Sequence, residues 1–77
     1  MSKLPVLSGK KLVKILNKGG FKFLDQTGSH VILFKQVSDR KLKPVVPLHP
    51  VIKPGTLLSI LKQANLTRKD LEELMKK

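Results

Sequence analysis

The 77-residue chain has no cysteine, no tryptophan and no tyrosine, and only five acidic side chains against sixteen lysines and arginines. Without cysteine there is no disulfide framework and no thiolate metal site, which suits a reducing compartment and leaves stability to packing alone. Three phenylalanines do not make a strong aromatic platform for base stacking. So few, scattered acids also argue against a hydrolytic metal centre, which needs clustered carboxylate or imidazole ligands; no cofactor or metal is expected. No stretch approaches the roughly 20 apolar residues of a membrane span, and Met1 to Leu7 lacks the apolar core of a signal peptide. The sequence therefore reads as a soluble cytoplasmic protein with no membrane partner. Its length suits one domain, 1–77, with one small core.

What the chain has in abundance is positive charge. The formal net charge is +11, which makes a polyanion the natural partner. The charge is uneven: six lysines and no acid precede Leu24, eight basic residues and only Asp39 lie between Gln26 and Lys69, and the last eight residues sum to slightly negative. A polyanion is therefore expected on the side of the sheet.

The order of elements can be read from periodicity and punctuation. Ser8 is a plausible N-cap, Leu12, Ile15 and Leu16 fall at helical spacing, and Gly19-Gly20 is a stop signal, so a first helix is expected from about Gly9 to about Lys18. Lys10, Lys11, Lys14 and Lys18 project opposite its apolar stripe; they form either a solvated face or a phosphate-contacting one. Runs Phe21 to Gln26 and Ser29 to Val37 flank Thr27-Gly28 as a hairpin. A third run, Lys41 to Val46, follows the polar Ser38-Asp39-Arg40, and Pro44 assigns it to a sheet edge or a bulge. The three prolines of Pro47 to Pro54 make a stiff loop. Pro54 opens a second helix with Leu57, Ile60, Leu61 and Ala64 buried; Asn65 suits the left-handed position after it, with Leu66 packing back on Leu61. Thr67 and Asp70 read as a capping box for a last short helix bearing Leu71, Leu74 and Met75. The fold class is α+β, ordered α-β-β-β-α, with a three-stranded antiparallel sheet and a short C-terminal helical extension.

This inventory limits the chemistry. Ser-His-Asp catalysis needs a buried acid behind the imidazole, and Asp25 and Asp39 look like strand-end residues. RNA carries its own nucleophile in the 2′-hydroxyl, so a protein need supply only proton transfer and charge stabilisation. An imidazole with a reference pKa near 6.5 suits the first, at roughly 10²- to 10⁴-fold, and lysines suit the second. His30 is the first candidate, just after a turn where Gly28 allows close backbone approach, sharing a sheet face with Ile32 and Phe34. Because Val31 and Leu33 are apolar too, the pattern leaves the core face undecided, and a half-covered structural histidine is the competing reading. His49, between Leu48 and Pro50, is the second candidate, with a loop histidine bonded to nearby backbone as its alternative.

The chain resembles the HicA family of bacterial and archaeal mRNA interferase toxins. Three matches carry this: Gly20-Phe21 after the first helix, Gly28-Ser29-His30 opening the second strand, and Val46-Pro47-Leu48-His49 followed by Gly55-Thr56-Leu57. The resemblance covers nearly the whole chain and implies a fold similar to the double-stranded-RNA-binding domain. It also implies a metal-independent endoribonuclease, cleaving mRNA and neutralised by a HicB-type antitoxin, with DNA met only through the antitoxin complex. By the same resemblance His30 is catalytic, Gly28 and Ser29 shape its turn, and His49 is a second motif histidine. The Pro50-Val51-Ile52-Lys53-Pro54 stretch departs from the commoner polar pattern. On this reading Lys10, Lys11, Lys14, Lys22, Lys35, Lys41 and Lys43 hold the RNA backbone, and binding weakens with salt as counterions are released. Two other readings are a noncatalytic module that reads A-form RNA by shape, and a small DNA-binding protein, for which no recognition helix stands out.

Overall fold

The structure, a computed structural model, describes residues 4–77. Met1 to Lys3, part of the expected extended lead, lie outside the described residues. The elements run α1 (Gly9–Lys18), β1 (Lys22–Thr27), β2 (His30–Val37), β3 (Arg40–Leu42), β4 (Val45–Pro47), α2 (Pro54–Gln63) and α3 (Arg68–Met75). All strand pairings are antiparallel. Strand β2 is central, with β1 on one side and β3 and β4 in succession along the other. This is an α+β arrangement of the double-stranded-RNA-binding-domain type. Among the described residues no helix is long and apolar enough to cross a membrane.

The expected third strand, Lys41 to Val46, is two short strands, and the reason is Pro44. A proline has no N–H to give to the ladder, so pairing with β2 lapses at Lys43-Pro44 while the buried Pro44 still accepts a bond at its carbonyl from Leu33 N–H at 3.0 Å. Pairing then resumes far enough to include Pro47, which sits opposite His30 rather than in the loop to which sequence reasoning assigned it.

Helix ends follow the expected local chemistry. Ser8 Oγ accepts from Lys11 N–H at 3.1 Å, and Pro54 occupies the first turn of α2. Asn65 is left-handed with φ 56°, and Leu66 N–H donates back to Leu61 carbonyl at 2.8 Å. Thr67 and Asp70 form the reciprocal capping box of α3. Met75, the third apolar residue of that helix, is 37 % exposed; one residue beyond Leu74 is a rotation of about 100°, enough to leave the stripe that Leu71 and Leu74 bury.

One apolar cluster fills the space between the sheet and the helices. Leu12 and Leu16 of α1, Val31 and Leu33 of β2, Val46 of β4, Leu57 and Ile60 of α2 and Leu71 of α3 are all buried, with Phe21 among them. Each fully buried side chain of this size contributes about 1.5–3 kcal/mol of transfer free energy. The Leu4 to Leu7 lead joins this cluster: Leu7 is buried in the core, and its carbonyl accepts from Ile52 N–H at 2.8 Å. The unusual Ile52 of the proline loop is buried there as well.

Candidate functional site

The site begins with a two-residue turn. Thr27 and His30 are the last pair of the β1–β2 ladder, leaving Gly28 and Ser29 to reverse the chain. Gly28 has φ 58°, a left-handed conformation that costs an L side chain roughly 1–2 kcal/mol. No atom lies within 4 Å of where its Cβ would stand, so backbone conformation, and not the close approach inferred from sequence, is what calls for glycine. The register then settles the face of His30. Val31 and Leu33 are buried, and alternation puts His30, Ile32 and Phe34 on the side away from the helices. His30 is exposed there.

His49 reaches the same place by a different route. Because Pro47 pairs with His30 and Leu48 N–H donates to Ser29 carbonyl at 2.6 Å, the chain leaving β4 runs beside the turn. Gly9 N–H then donates to His49 carbonyl at 2.9 Å. The N-terminal turn of α1 thus pins the backbone that carries the second histidine, and Leu48 anchors it by packing on the core. Gly9 is the residue sequence reasoning missed: a Cβ there would lie 2.7 Å from Leu48 Cα, with the Pro47 carbonyl in contact as well. A glycine at the start of a helix, where it is among the weakest helix formers, was the available signal. The two exposed imidazoles end with ring centroids 6.5 Å apart and planes at 70°. Among the described residues, no hydrogen bond engages either ring.

The candidate lysines divide into three groups. Lys22 stands opposite Phe34, and Lys41 opposite Gln36; residues directly across a ladder share a face, so both belong to the open face that bears His30, and Lys43 is exposed between β3 and β4. Lys10, Lys11 and Lys14 are exposed on α1, in the helical layer, with the first two close in sequence to the Gly9 N–H that holds the His49 loop. Lys35 lies apart from both. It is half-buried, its ammonium donates to Gly19 carbonyl at 2.8 Å at the end of α1 and lies 5.5 Å from the Phe21 ring centre. A lysine near a helix C-terminus satisfies carbonyls the helix cannot, so this charge serves the junction of sheet and helix, a partnership that strand position alone does not reveal. No three His, Cys, Asp or Glu side chains among the described residues converge to hold a metal ion.

Fold and site together define a small, strongly basic α+β protein of the double-stranded-RNA-binding-domain type, with a pair of histidines at one end of its sheet. The family model described as HicA toxin of bacterial toxin-antitoxin matches residues 9–66. The chain belongs to that family: it is the toxin of a toxin-antitoxin system, and a cognate antitoxin is its partner. Comparison with curated proteins and with solved structures gives no match. The matched span opens at Gly9 and closes at Leu66, so it takes in both histidine-bearing segments and stops short of α3.

Proposed function

We propose that this toxin is a metal-independent endoribonuclease that cleaves mRNA and is held inactive by a HicB-type antitoxin. The observation that carries the reading is the placement of His30: exposed, at the mouth of a tight hairpin, on the sheet face that also bears Lys22 and Lys41. An imidazole there takes the proton from a ribose 2′-hydroxyl, the oxygen attacks the adjacent phosphorus, and the products are a 2′,3′-cyclic phosphate and a 5′-hydroxyl. Lys22 and Lys41, opposite Phe34 and Gln36 farther along β2, hold phosphates that flank the reacting one. The +11 net charge supports RNA as the polyanion, because RNA brings the nucleophile that this residue set lacks.

The test compares purified wild type with His30→Ala on single-stranded RNA in EDTA. Because His30 is exposed, the variant should keep its circular dichroism and melting temperature while cleavage falls by about 10²- to 10⁴-fold. A single 2′-deoxy substitution at the cut site should block wild-type cleavage. Equal cleavage by the two proteins would overturn the assignment of His30, and binding of RNA duplexes without scission by wild type would favour a noncatalytic RNA-binding module.

A further inference from the structure

Transesterification of RNA moves two protons, and His30 accounts for one. The other must reach the departing 5′-oxygen, which is a poor leaving group unless protonated as the P–O5′ bond breaks. We infer that His49 is the general acid that supplies it, an inference that rests on the ribonuclease reading above.

Two observations support this pairing. First, the two rings are neighbours: centroids 6.5 Å apart let both imidazoles reach one phosphodiester lying against the pair, one at the entering oxygen and the other at the leaving oxygen. Second, the position of His49 is fixed by its backbone and by Leu48 on the core, through Leu48 N–H to Ser29 carbonyl and Gly9 N–H to His49 carbonyl, so its side chain is not consumed in holding the loop. Scarce acids point the same way. The nearest carboxylate along the ladder, Asp25, pairs with Ile32 two residues away from His30, and its side chain accepts from Gln26 N–H at 2.8 Å.

The step balances as follows. The neutral imidazole of His30 accepts the O2′ proton while O2′ forms its bond to phosphorus. The P–O5′ bond breaks with its electron pair going to O5′, and the His49 imidazolium donates its proton there. His30 is left protonated and His49 neutral, and exchange with water restores both.

The experiment uses two forms of one single-stranded RNA whose cut site has first been mapped with wild type: the ordinary oligonucleotide, and one in which sulfur replaces the bridging 5′-oxygen at that bond. A thiolate departs without needing a proton. His49→Ala is expected to cleave the ordinary RNA about 10²- to 10⁴-fold more slowly than wild type and the sulfur-bridged RNA at the wild-type rate. His30→Ala should remain slow on both, since O2′ must still lose its proton. His49→Gln, which keeps a polar side chain in the loop, should repeat the His49→Ala pattern and serves if that variant misfolds. Equal slowing of the His49 variants on both RNAs, or none on either, overturns the general-acid role while leaving the nuclease reading intact. If wild type cuts neither RNA, the nuclease reading falls and this role with it; if His30→Ala cuts both at the wild-type rate, the assignment of His30 as base falls and the acid–base pairing with it.

Discussion

The histidine pair and the capping box of α3 are both built from polar residues a few positions from a chain reversal, yet their side chains are used in opposite ways. At the box, Thr67 Oγ1 accepts from Asp70 N–H at 3.0 Å and Asp70 Oδ2 accepts from Thr67 N–H at 2.9 Å, so an oxygen of each side chain is occupied by the backbone it stabilises. At the histidines the backbone does the holding, through Ser29, Leu48, Gly9 and the His49 carbonyl, and the rings engage no hydrogen bond among the described residues. Polar side chains satisfied locally act on stability; side chains positioned by backbone bonds are left for a ligand. The family match draws the same line, ending at Leu66 just before the box. Charge changes within the box, since the chain is basic up to Lys69 and slightly negative after it.

The contrast is broken most forcefully at Gly9, where holding the loop depends on backbone contact. Gly9→Ala gains about 1 kcal/mol of helix propensity, yet it places a methyl carbon 2.7 Å from Leu48 Cα, and the clash is with backbone that cannot swing aside as a side chain would. Overpacking of this kind costs about 1–3 kcal/mol, so the clash outweighs the propensity. The variant should melt at a lower temperature and lose RNA cleavage by tenfold or more as the His49 loop shifts. A Gly9→Ala protein with raised stability and full cleavage would show that the loop is not held from α1.

Much of this was legible in the sequence, and the exceptions share a cause. The limits of α1, the start of α2, the left-handed Asn65 and the capping box each depend on residues within a few positions of one another, and all were readable. Leu7 in the core, Lys35 bonded to Gly19 and the approach of Gly9 to Leu48 depend on pairs 16 to 45 residues apart, for which a single sequence carries no pattern. The site shows the same division. His30 and His49 stood out as the two imidazoles, but the face of His30 waited on burial of Val31 and Leu33, and their proximity waited on Pro47 pairing with His30 rather than belonging to the loop. Pro44 reads from sequence as an edge or bulge position inside one strand; that it divides the run into two, the second reaching Pro47, does not.

A smaller effect tests the other side of the contrast. Thr67→Ala removes the hydroxyl that accepts Asp70 N–H and should cost about 0.5–2 kcal/mol, the usual range for loss of an N-cap. It should leave RNA cleavage per folded molecule unchanged, because α3 contributes Leu71 and Leu74 to the core and no residue to the histidine end. Thermal melts and cleavage rates on the same preparations check both halves; a cleavage defect with little change in melting would place α3 in the functional machinery and erase the division drawn above.

The smallest effect is a pH dependence confined to the box. The Thr67 backbone N–H, then the Thr67 hydroxyl, hold the Asp70 carboxyl below its ordinary value of 3.8, with Lys69 adding to the effect and slight desolvation opposing it. A folded-state value below the unfolded one means that the unfolded chain binds more protons between the two, so stability rises with pH across that window. The contribution of Asp70 is therefore fully present well above pH 3.8, begins to be lost as pH falls through 3.8, and is gone below the lowered value. Urea denaturation of wild type and Asp70→Asn at neutral pH and near pH 3 isolates it: wild type should be the more stable at neutral pH, and the gap should narrow in acid. The carboxyl is exposed and its partners are a backbone amide and a hydroxyl, so the gap should be modest and only weakly sensitive to salt, unlike the ion-pair attraction of a surface carboxylate to lysine. No gap at either pH would assign the stabilisation to hydrogen bonds that an amide makes equally well, leaving the charge of Asp70 without a part in holding α3.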